Sequence, residues 1–119
     1  DETEINTFVE RLDTNFLLDP RTRRTTEAAK AMEDASAAVQ NSNPFAVNLE
    51  LVVDELRLSV KGWEDKETDE KPMRTASGTL VPYSPENLEK ILSVEEIVYV
   101  LAKATKDLAA VSETLDLGN

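Results

Sequence analysis

Apolar residues recur along most of this chain at spacings of three and four, and the places where that period breaks mark out its elements. Ile5, Phe8, Val9 and Leu12 are spaced to share one face of a helix over 2–12. Asp13-Thr14-Asn15 breaks the pattern. The run FLLDP at 16–20 reads either as a short strand or as the entry to the next helix. A boundary falls near Asp19, because a residue before proline is pushed away from helical angles. Over 22–40, Ala28, Ala29, Met32, Ala35, Ala38 and Val39 form a stripe at helical spacing. Its small side chains predict a helix packed closely on a neighbour. Asn41-Ser42-Asn43 ends it, since these residues tolerate turn angles and bond their own backbone.

Asn43-Pro44 predicts the next helix start, with Asn43 capping and Pro44 at the first helical position. The helix is expected to run to Gly62. Phe45, Leu49, Val52, Val53, Leu56, Val60 and Trp63 trace one face, and Val47, Leu51 and Leu58 a second beside it. Two stripes suit a helix central to its own domain or one shared with a neighbouring molecule. Residues 64–79 hold almost nothing apolar and read as a long acidic loop. Helix signals return at Ser84-Pro85, a cap followed by a first-turn proline, with Leu88, Ile91 and Leu92 as the buried face. Ser93 with Glu96 reads as a capping box opening a last helix through Val94, Ile97, Val98, Leu101, Thr105, Leu108 and Ala109. The pattern fades after Val111.

These elements predict a mainly α fold: four to five helices and one long acidic loop, with room for a short strand pair at 14–18 and 79–82. Residues 1–111 form a single helical domain and 112–119 a flexible C-terminal tail. A length of 119 residues suits one domain with a modest core.

Charge narrows the partners. With 24 acidic against 13 basic residues the net charge is −11. That opposes binding to nucleic acid or an anionic membrane surface. Arg21, Arg23 and Arg24 form the one basic cluster, either a docking patch for carboxylates or a solvated helix start. No apolar run reaches the roughly 20 residues of a membrane helix. No signal-peptide pattern shows, although a chain opening on Asp1 fits a trimmed N-terminus.

Candidate chemistry is sparse. The chain has no Cys and no His, so the common nucleophile–base pairs and the commonest metal ligand are missing. Asp65, Glu67 and Asp69 alternate as calcium ligands do, but the glycine and closing glutamate of an EF-hand loop are not in place. The expectation is a non-enzyme without cofactor or metal.

Trp63 and Tyr83 stand at the two ends of the polar loop. The expectation is that they anchor it, with Trp63 as a partner contact the alternative. They belong to a longer pattern: Trp63, Glu64, Pro82, Tyr83, Ser84, Glu86, Asn87, Leu88 and Leu92. A tryptophan with an acidic neighbour, a loop, P-(Y/F)-(S/T)-x-E-N and a short leucine-rich helix resembles a motif of the tail assembly chaperones of long-tailed, lambda-like bacteriophages. The resemblance covers residues 57–101. The family's usual loop has a tight glycine-containing turn, whereas this one carries a longer acidic insertion with Gly78 near its end.

The resemblance implies a mostly helical protein of the infected host's cytoplasm, absent from the mature virion. It implies binding to the tape-measure protein, which is kept soluble, and recruitment of tail tube subunits. The residue pattern adds self-association through Val47, Leu51 and Leu58, with Trp63 and the arginine cluster as further contact candidates. The alternative is an acidic inhibitor or nucleic-acid mimic that occupies a basic site and binds more weakly as salt rises.

Overall fold

A computed structural model describes residues 5–21, 25–41, 47–63 and 73–117, with backbone alone at 6, 41 and 111–117. The first element is a strand. Ile5–Val9 (β1) turns through a 3-10 segment at Glu10–Leu12 into Thr14–Leu18 (β2). The two strands pair antiparallel, from Ile5 opposite Leu18 to Val9 opposite Thr14. Asp13 closes the turn in the left-handed region, at φ 47°, and its N–H reaches the Glu10 carbonyl at 3.0 Å. The helix expected over 2–12 is therefore corrected. Its spacing of Ile5, Phe8 and Val9 is also compatible with INTFV as a strand whose β-branched Ile5, Thr7 and Val9 alternate.

Helix Thr26–Asn41 (α1) starts four residues later than its stripe suggested, because Thr25 Oγ1 accepts from the Ala28 N–H at 3.0 Å. Ala28, Ala31, Met32, Ala35 and Ala38 form its buried face. It packs chiefly on the last helix, Glu95–Leu117 (α4), and then on the helix that follows it, Leu49–Ser59 (α2). Helix Leu49–Ser59 (α2) is capped by Asn48, whose side chain accepts from the Leu51 N–H. The expected capping pair, Asn43 and Pro44, lies outside the described residues, and Val47 and Asn48 are already non-helical.

The chain leaves α2 as a strand, Val60–Gly62 (β3), where a helix to Gly62 was expected. β3 pairs antiparallel with β2, which places β2 at the centre of a three-stranded sheet. The Asp19 N–H bonds the Ser59 carbonyl at 2.8 Å and holds the α2–β3 corner to the end of β2.

Helices Pro85–Leu92 (α3) and Glu95–Leu117 (α4) complete the chain. Ser84 caps α3 as expected, accepting from the Asn87 N–H at 3.1 Å. Ser93 does not open α4: its hydroxyl donates to the Lys90 carbonyl at 2.6 Å and closes α3. α4 continues as helix to Leu117, through the stretch where the apolar period fades. Among the described residues, four helices and an antiparallel sheet make the fold α+β, which corrects the mainly α expectation. The expected strand pair is corrected as well: β2 at 14–18 pairs with β1 and β3, while Leu80 forms a single bridge to Arg74.

One core joins both halves. Phe16 and Leu18 of the sheet meet Met32, Val52, Leu56, Trp63 and Leu101, all fully buried. No described helix is long and apolar enough to cross a membrane.

Candidate functional site

Two features stand out, a closed joint and an open groove. The joint is built around Trp63, where β3 ends. Its ring is fully buried. The indole N–H, which needs a partner once out of water, donates to the Val81 carbonyl at 2.6 Å. Phe16 and Tyr83 both meet the ring edge to face, at centroid distances of 6.4 and 5.0 Å. Tyr83 itself stays partly exposed.

Asn87 in the first turn of α3 reaches back with its Nδ2 to the Pro82 carbonyl at 2.8 Å. Its backbone N–H bonds the Ser84 cap, and Leu88 and Leu92 below it enter the core. Upstream, residues 73–81 fold back on themselves. The Val81 N–H bonds the Met73 carbonyl at 2.9 Å, and Gly78 takes a φ of 91° at the turn. The acidic stretch 64–72, with Glu64, Asp65, Glu67 and Asp69, lies outside the described residues.

The other sequence candidates are scattered. Val47, Leu51 and Leu58 are each half-buried, and Val47 and Leu51 pack against the core. That leaves less of the second stripe open to a partner than its spacing alone suggests. Arg21 is exposed beside Asp19, 3.8 Å away. Arg23 and Arg24 lie outside the described residues. Elsewhere on α2, Arg57 grips Glu89 of α3 through two bonds, at 2.7 and 2.9 Å, and also contacts Asp54. The bond to Glu89 raises the guanidinium pKa and holds the Glu89 carboxyl below its ordinary range.

The groove was missed by sequence reasoning. It runs along α4 between the β1–β2 turn and the end of α1. One hollow of about 390 Å³ is lined by Ala38, Val39, Tyr99 and Val100. A second of about 470 Å³ continues past Phe8, Val9, Ala104 and Leu108. Both share Arg11, Val39 and Val100. Arg11 stands between them, 3.2 Å from Glu96 on α4. Phe8, expected on a buried helix face, is instead 48% exposed at this edge of the sheet. Burial pushes the Tyr99 hydroxyl above its ordinary pKa, and the neighbouring Glu95 adds to the shift. Three sequence-distant elements build this groove, so no local pattern announces it.

Among the described residues, no three acidic side chains gather as a cation site requires. Comparison with protein-family models, with curated proteins and with solved structures finds no significant match.

Proposed function

We propose that the chain is a tail assembly chaperone of a long-tailed bacteriophage. In this reading it is a binding protein without catalysis of its own. It holds the apolar helices of the tape-measure protein in solution and brings tail tube subunits to them, as a homo-oligomer in the cytoplasm of the infected host.

The joint is the observation that supports this reading. The described motif residues that carry the resemblance form one continuous structural unit. Trp63 bonds the Val81 carbonyl just before Pro82, Tyr83 packs on Trp63, Ser84 caps, Asn87 ties back to Pro82, and Leu88 and Leu92 anchor the helix. Glu86 adds negative charge at the positive end of α3. A motif whose parts depend on one another in space is harder to meet by accident than a string of matching letters. The acidic surface is compatible with a soluble holder of apolar segments, and helix-in-groove binding requires surfaces and no catalytic residue.

The test is co-expression of the chain with a helical tape-measure fragment that is insoluble alone. The expected outcome is a soluble fragment that co-elutes with the chain. A fragment that stays insoluble, or dissolves without co-eluting, overturns the reading.

A further inference from the structure

We propose that the groove between α4, α1 and the β1–β2 turn binds an amphipathic helical segment of another protein, with lysines or arginines flanking its apolar stripe. The shape suits a helix. The lining runs along α4 from Glu95 to Leu108, a length of about 20 Å, or about 13 helical residues. Ala38 and Ala104 keep part of the lining shallow, which lets a second helix come close. Phe8 offers an exposed ring at one edge. A strand added to β1 would leave the first hollow empty, because that hollow is lined by helical residues and Arg11, with none from β1.

Charge selects the flanks of the partner. The lining includes the acids Glu10, Glu95, Glu96 and Asp107 but only two bases, Arg11 and Lys103. Both bases are already paired within the chain, Arg11 with Glu96 and Lys103 with Asp107. The surplus acids, Glu10 and Glu95, favour cations on the incoming segment. A second copy of this chain suits the groove poorly. It carries the same net charge of −11, and Arg21, Lys30 and Arg57 are also engaged in ion pairs of their own.

The inference stands apart from the tail-chaperone reading, because its test uses no tape-measure sequence. Two labelled synthetic peptides share one leucine stripe at helical spacing; one has lysine flanks and the other glutamate flanks. Fluorescence anisotropy follows their binding to the intact chain at low and raised salt. The lysine-flanked peptide is expected to bind, more weakly as salt rises, and the glutamate-flanked peptide is not. Phe8→Ser is expected to weaken binding by about tenfold or more. Glu10→Lys combined with Glu95→Lys is expected to reverse the preference between peptides, and it decides the matter if Phe8→Ser unfolds the chain. The proposal is overturned if neither peptide binds, if both bind equally, or if the charge-reversed variant keeps the original preference. A dimer in light scattering that Phe8→Ser dissolves assigns the groove to a second copy and also overturns it.

Discussion

Trp63 combines bulk with a single hydrogen bond, and the two separate by substitution. Trp63→Ala removes a ring held by Phe16 and Tyr83 and opens a cavity in the core, a change of about 3–5 kcal/mol for a buried large aromatic. Trp63→Phe keeps much of the apolar contact but leaves the Val81 carbonyl without its indole donor, at about 1–3 kcal/mol. Urea denaturation is expected to rank wild type above Trp63→Phe and that above Trp63→Ala. Equal midpoints for all three would show that the ring stabilises nothing. Ser84→Ala removes a helix cap, worth about 1 kcal/mol. Ser84 and Asn87 share one turn, so a double-mutant cycle between them is expected to be non-additive.

At the scale of elements, what was legible was local. The Ser84–Pro85 start of α3 could be read because cap, proline and buried face lie within nine residues. The small-residue face of α1 was legible for the same reason, and it supports a prediction. Ala35 is fully buried on that face, so Ala35→Leu overpacks it and is expected to cost about 1–3 kcal/mol in thermal or urea unfolding. What failed was non-local. Nothing in Val60-Lys61-Gly62 identifies a strand until β2 arrives to pair with it. INTFV fits two periods, and the hairpin partner decides between them.

The Arg57–Glu89 pair between α2 and α3 was equally invisible, and it gives a pH signature. The Glu89 carboxyl is held below its ordinary pKa, so its contribution is present above the unfolded value and is lost as pH falls through the folded one. Both side chains are substantially exposed, so the effect is small. Stability measured at neutral and acidic pH is expected to fall slightly less in Glu89→Gln than in wild type. Tyr99 has the opposite sign. Its raised pKa gives stability that is complete below the ordinary value of 10.0 and fades as pH rises through the folded value. Tyr99→Phe is expected to remove that alkaline fading.

For the whole molecule, charge sets the conditions under which any assembly is seen. Copies carrying −11 repel one another, so self-association is expected to strengthen as salt screens the repulsion. Light scattering across salt and concentration checks this, and a strict monomer at high salt would remove the homo-oligomer from the proposal. Leu58→Glu is the cleaner probe of the α2 stripe, because Val47 and Leu51 also serve the core. Trp63 and Tyr83 could be singled out together by their places at the two ends of the polar stretch, and the fold packs their rings against each other. The groove was not legible, because a hairpin edge, the end of one helix and the length of another meet there only after folding.

The indole–carbonyl bond between Trp63 and Val81 fixes the chain at both ends of the intervening segment. Whatever lies between those two points starts and finishes at the same place in the core. Doubling a flexible connection of any length adds only about 0.6 kcal/mol of closure entropy, far less than losing the tryptophan. Polar residues inserted after Asp69 are therefore expected to leave the unfolding midpoint nearly unchanged. The same insertion between Val9 and Thr14 would break the tight hairpin turn and shift the midpoint strongly.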